Sequence, residues 1–271
     1  MKKTLVSILF ILMIISLDAV ELSPSLRVFN YRSYSQQLAN MPMIAGYPVI
    51  TTQSFLPGIT LNIGAHEIYA AWSIPAKLSS DDGTGQNFLL NEQGNSYTRV
   101  HLDYAWHFPL ISKGQFSLFH ALNMGLLYEN RYMFYESLGY EWALDLNYYI
   151  GPRIKMAYAL MKDLDLEFTF DGRFYLPYLN TGILRSRSGL HAITYESSYH
   201  GFYYNSLFEL TVNKAFVNGN SIALKVKSEW LIGYANSRPL FRIDDLIHFK
   251  FDRLIHIGLE YGFVFGGQNE K

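Results

Sequence analysis

Three groups of side chains in this 271-residue chain have types and spacings that could do chemistry. His101, Asp103 and His107 lie on one parity of a short run, so an extended backbone puts them on one face. Neighbours two apart on a strand face are about 7 Å apart, so a metal held by His101 and His107 would need further ligands from other strands. The plainer account is a carboxylate and two imidazoles in a polar interior, and no metal or cofactor is expected. Ser198 and His200, with Glu209 further on, contain the residue types of an activated nucleophile, its base and an orienting carboxylate. Such a set works only within hydrogen-bond reach, and no recognisable motif surrounds these residues. The third group is ionic: acids and bases such as Arg153, Asp171, Glu209 and Lys227 recur at alternate positions through the second half of the chain.

The elements that would carry these residues are strands. From Asp163 to Leu179, Leu164, Leu166, Phe168, Phe170, Phe174 and Leu176 fall on one parity, and Asp165, Glu167, Thr169, Asp171 and Arg173 on the other. Strict alternation means a strand with two unlike faces. Here both faces are extreme, one carrying large apolar groups and the other ionised ones. The solvent arrangement that suits both is lipid outside and a polar lumen inside, in a closed barrel without edges. A soluble lipocalin-like barrel would turn the same apolar groups inward.

Composition agrees with the membrane arrangement. Charged residues make up 17% and aromatics 16%, including 21 Tyr and 19 Phe; rings with a polar tip favour the membrane boundary. The net charge of −1 leaves no basic footprint for nucleic acid. No Cys is present, which excludes disulfides and thiolate metal sites. Lys2 and Lys3 followed by the apolar run Leu5 to Leu17 read as a signal peptide over residues 1–22 with cleavage near Ala19.

Residues 23–57 are punctuated by Pro24, Pro42, Pro48 and Pro57. They are expected to form a periplasmic lead-in or plug, or else two further strands. Residues 58–265 are expected to be the barrel, and 266–271 a tail. Parity shifts once near Ala65, His66 and Glu67, read as a β-bulge within one strand. It does not shift at Gly151-Pro152, so 140–160 is one long strand. Short links near 111–115, 161–163 and 217–219 exchange with longer ones at 79–96, 130–137, 178–201 and 235–252. That exchange is the pattern of short periplasmic turns and longer outer loops. It predicts a closed antiparallel up-and-down transmembrane β-barrel of eight strands, or ten if 23–57 contributes two.

Matching outward faces across the short links restricts register. A three-residue loop Val217-Asn218-Gly219 places Phe216 opposite Asn220 and Glu209 opposite Lys227. A three-residue loop Met161-Lys162-Asp163 places Leu160 opposite Leu164 and Arg153 opposite Asp171. Both bring opposite charges together in the lumen.

In the last strand, His256, Gly258, Tyr261 and Phe263 resemble the C-terminal assembly signal of bacterial outer-membrane proteins, in which a polar residue, a Gly and aromatics recur on alternate positions. Over about residues 58–265 the chain is similar to small eight-stranded outer-membrane β-barrels at the level of pattern. The resemblance implies an outer-membrane location, and as partners the assembly machinery, outer-membrane lipid and lipopolysaccharide, in a monomer. It implies a structural or surface-interaction role with a charge-filled lumen. Two alternatives stay open: a narrow pore or hydrophobic-solute channel, and a lipid-modifying hydrolase or acyltransferase using Ser198, His200 and Glu209.

Overall fold

Alternation at period two is reproduced as strand throughout. The computed structural model describes residues 20–38, 49–81, 95–135, 139–185, 192–198, 200–237 and 246–265. The strand segments are β1 (Val20–Leu38), β2 (Val49–Ile63), β3 (His66–Trp72), β4 (Ser79–Asp81), β5 (Ser96–Lys113), β6 (Phe116–Tyr135), β7 (Gly139–Met161), β8 (Leu164–Arg185), β9 (Ala192–Ser198), β10 (His200–Ala215), β11 (Ser221–Ser237) and β12 (Leu246–Phe265). β3 and β4 both pair with β2, and β9 and β10 both pair with β8, so each of these pairs is one stave of the wall. β1 pairs with both β2 and β12, which closes the sheet. The fold is a closed, antiparallel, ten-stranded β-barrel.

Of the two counts the sequence left open, eight and ten, the structure has ten. β1 and β2 occupy 20–38 and 49–63, so the described part of 23–57 is wall, not a lead-in or plug. The shift near His66 is a hairpin turn, not a bulge: Ile63 pairs with His66 across Gly64-Ala65, and Gly64 has φ 55°. A two-residue turn and a one-residue bulge change parity identically; the left-handed conformation that glycine adopts without steric cost reverses the chain. Dividing the chain there adds one strand and β1 adds another before it, so short and long links still alternate. Val20 to Leu22, read from the sequence as the end of a signal peptide, are paired in β1; residues 1–19 and 266–271 lie outside the described residues.

β7 runs unbroken through Gly151-Pro152. The β10–β11 loop is the expected three-residue one: the Phe216 amide donates to the Asn220 carbonyl at 2.8 Å and Gly219 has φ 83°. The β7–β8 turn has only two residues, with Met161 opposite Leu164, and an irregularity between Ala159 and Met161 absorbs Leu160. The same device lies between Pro109 and Ile111 in β5. Each extra residue restores the parity that a two-residue turn reverses, which is why the outward faces looked continuous in the sequence.

Much of what read as long loops is wall. β8 continues to Arg185 and β9 begins at Ala192; β11 ends at Ser237 and β12 begins at Leu246. Following partners from Leu22 through Leu61, Ile68, Tyr104, Met124, Ile150, Phe174, Tyr204, Ile232 and Phe251 returns to β1 at Tyr34, twelve residues further along. For ten strands that stagger sets a tilt of about 40° and a radius of about 10 Å. Strands of some 20 residues then stand about 50 Å tall, roughly twice the apolar band of an outer-membrane barrel.

The faces divide as the alternation requires. Leu26, Phe55, Ile59, Leu102, Leu122, Ile154, Phe208, Leu224, Ile257 and Leu259 point outward and are exposed. Arg27, Arg99, Asp103, Glu129, Arg153, Asp171, Arg173, Lys227 and Glu229 point inward and are buried. Phe168 and Phe170 lie on the outer face against Phe208, with ring centroids 6.3 and 5.1 Å away.

Candidate functional site

The lumen is the candidate site, because inward positions on every stave carry polar groups and the barrel is narrow enough for them to meet. In its middle, Arg99 on β5 donates to Glu229 on β11 at 2.7 Å. These strands are five places apart in a ring of ten, so the bond joins opposite walls. Tyr97 donates to Glu129 at 2.6 Å, Arg99 lies 3.7 Å from Glu129, and Lys227 Nζ is 2.7 Å from Glu229. Beside them the lumen is apolar. Tyr31 stacks on Tyr97 at 5.0 Å, and Phe29, Leu56, Tyr69, Ala71, Leu78 and Leu254 complete a buried cluster. The sequence reading foresaw the charges but missed this cluster, because Phe29, Tyr31, Leu56 and Leu254 are apolar residues on inward parities.

A second network lies beside it toward the hairpin turns. Arg153 donates to Glu67, Asp103 and Asp171 at 2.8, 2.6 and 3.0 Å. Arg173 donates to Asp171 at 2.9 Å and to Asp103 at 3.2 Å, and lies 4.6 Å from the centre of the Tyr149 ring. Asn123 Nδ2 donates to both Asp171 oxygens at 2.7 Å. A third network joins Arg27 to Glu209 at 3.1 Å and Lys225 to Glu260 at 2.9 Å. Against the second and third networks lies a cavity of about 70 Å³ lined by Glu67, His107, Lys155, Glu167, Glu209 and Lys225, among others. It has room for a few waters.

The sequence-derived candidates separate on this geometry. Arg153 and Asp171 stand opposite each other and are bonded. Glu209 and Lys227 also stand opposite each other, but they bond elsewhere, Glu209 to Arg27 and Lys227 to Glu229. The histidines do not converge: His101 Nε2 is 2.7 Å from the Tyr149 hydroxyl, whereas His107 Nε2 is 3.4 Å from Glu67. Asp103 between them is taken by Arg153 and Arg173. Among the described residues no cluster of His, Cys, Asp or Glu has the geometry of a metal site.

The hydrolase set is corrected in part. His200 and Glu209 are nine residues apart on β10, about 30 Å of strand, so Glu209 cannot orient that imidazole. The side chains of Ser198 and His200 lie outside the described residues. In β12, Tyr261 and Phe263 face outward with ring centroids 4.6 Å apart, while His256 and Gly258 face the lumen. A Cβ at Gly258 would sit 2.8 Å from the Leu26 carbonyl oxygen and run into the Arg27 side chain. The glycine of the assembly pattern thus makes room for a lumenal arginine.

No protein-family model matches the chain, and no curated protein matches it in sequence. Among solved structures, the outer membrane protease OmpT from Escherichia coli is similar with a TM-score of 0.55 and 10% identity, over 92% of this chain and 98% of its own. The toluene transporter TodX of Pseudomonas putida matches with a TM-score of 0.35 and 9% identity, over 90% and 89% of the two chains. The β domain of the Bordetella autotransporter Brka matches with a TM-score of 0.35 and 13% identity, over 91% and 100%. At 10% identity the likeness to OmpT is one of fold, that of a bacterial outer-membrane barrel; the other two are too distant in shape to bear on the reading.

Proposed function

We propose that the chain is an outer-membrane scaffold whose lumen is sealed, and that it acts through the surface it holds above the bilayer. The observation that carries this reading is the Arg99–Glu229 bond across the barrel. Both side chains are 1% exposed, and buried rings fill the space beside them. A conducting pore needs a continuous water path, and ion pairs closed in this way provide none. The wall supports the second half of the reading, since staves about 50 Å tall carry an apolar band over roughly half their height. In this proposal the leader directs export, the assembly machinery reads the last strand, and a monomer sits with its hairpin turns in the periplasm.

The test is planar-bilayer recording of the purified, refolded protein. The expected trace has no stepwise openings in molar salt. Stable openings of uniform size would overturn the sealed-lumen reading and restore the channel alternative.

A further inference from the structure

We propose that the lumenal cavity is a binding site for a small zwitterion, an amino acid whose ammonium and carboxylate are both free. Six lysine and arginine side chains line it, among them Arg27, Arg153, Lys155 and Lys225. Each of the six has a carboxylate oxygen within 3.1 Å, as in Arg153–Asp103 at 2.6 Å and Lys155–Glu167 at 2.8 Å. The wall is therefore balanced in charge at short range, and an ion of one sign would lose to one member of each pair what it gained from the other. A molecule carrying both signs can lie along such pairs, each end against its opposite.

Several atoms of this wall have hydrogen-bonding capacity left over. The buried Tyr69 hydroxyl makes no hydrogen bond among the described residues, and the same holds for Nε of Arg27 and of Arg153 and for Oδ1 of Asp103. All four residues line the cavity. Buried polar groups without partners are costly and rare, and these divide as a zwitterion requires: O–H and N–H donors for its carboxylate, a carboxylate oxygen for its ammonium. The charges acting on the Tyr69 hydroxyl include those of Arg27, Glu209 and Lys225, which share the wall with it. A volume of about 70 Å³ holds roughly five non-hydrogen atoms, at about 10–15 Å³ for each water-sized position, so the smallest amino acids fit. Access is from the hairpin turns. Glu67 and Glu167 are the second and fourth residues of β3 and β8, counted from their turns. Glu67, Lys155 and Glu167 are 22–27% exposed, whereas Arg99 and Glu229, bonded across the middle of the lumen, are 1% exposed. In the membrane reading above, on which only the side of entry rests, the turns face the periplasm.

Saturation-transfer NMR titration of glycine into the refolded protein in micelles tests the site. The expected result is saturable binding, with acetate and methylammonium, each carrying one of the two charges, at least about tenfold weaker. Tyr69→Phe keeps the ring 5.1 Å from the Arg27 guanidinium and removes the hydroxyl. It should weaken glycine about tenfold and leave the folded band on a semi-native gel unchanged. Absence of saturable glycine binding would overturn the proposal, as would acetate or methylammonium binding as tightly as glycine, or undiminished glycine binding by folded Tyr69→Phe. The comparison of the three probes needs no variant, so it decides the matter even where Tyr69→Phe fails to fold. Stepwise openings in a planar bilayer would instead defeat the sealed-lumen reading and leave this one standing.

Discussion

Arg153→Ala should cost the barrel about 3–5 kcal/mol, the usual penalty for removing one partner from a buried ion pair. Arg153 is 7% exposed and holds three carboxylates, Glu67, Asp103 and Asp171, at 3.0 Å or less. Three lost charge-assisted bonds at about 1.5–3 kcal/mol each set a ceiling near 9 kcal/mol. The surviving partners bring the cost down: Arg173 stays 2.9 Å from Asp171 and 3.2 Å from Asp103, and His107 stays 3.4 Å from Glu67. The assay is equilibrium urea unfolding in lipid vesicles, followed by the fluorescence of the four Trp residues. Lys155→Ala is the internal control. Its 2.8 Å pair with Glu167 lies in the more open cavity, with the two side chains 27% and 22% exposed, and its loss should cost at most about 1 kcal/mol. Equal destabilisation by the two substitutions, or a loss under about 1 kcal/mol for Arg153→Ala, would refute the placement of the network in a sealed interior.

Leu259, 56% exposed on the outer wall, should tolerate Arg poorly, by about 2–4 kcal/mol near the bilayer midplane; a neutral effect in vesicle unfolding would mean that this face meets water. Gly258→Val should lower the yield of heat-modifiable folded barrel, because its side chain would enter the space of Arg27 and the Leu26 carbonyl; wild-type yield on a semi-native gel would contradict the packing. Gly219→Ala forces a Cβ into φ 83° in the three-residue β10–β11 loop and should cost about 1 kcal/mol, read in the same urea titration.

What could be read from the sequence was whatever depends on parity and on neighbours in the chain. Alternation assigned Leu224 to the outer face and Lys225 to the lumen, and hairpin continuity set Arg153 opposite Asp171 and Glu209 opposite Lys227. The Glu209–Lys227 pairing follows from the three-residue turn, and the Arg153–Asp171 pairing survives a shorter turn because the irregularity at Leu160 restores the register. The strand count was harder to read because β1 and β2 mix the two kinds of residue on their inward faces: Arg27 is followed by Phe29 and Tyr31, and Ser54 by Leu56. Those rings belong inside because they pack on Tyr97 from β5, a contact no local pattern announces.

Closure decided the rest. Glu209 faces Lys227 across the ladder but bonds Arg27, and Arg99 finds Glu229 on the opposite wall. Period two tells a side chain which way to point but not how high it stands relative to a distant strand. That height follows from the twelve-residue stagger with which the sheet meets itself, a quantity that exists only once the first stave has joined the last. The local code therefore determined faces and hairpins, while the closed cylinder determined which lumenal charges touch.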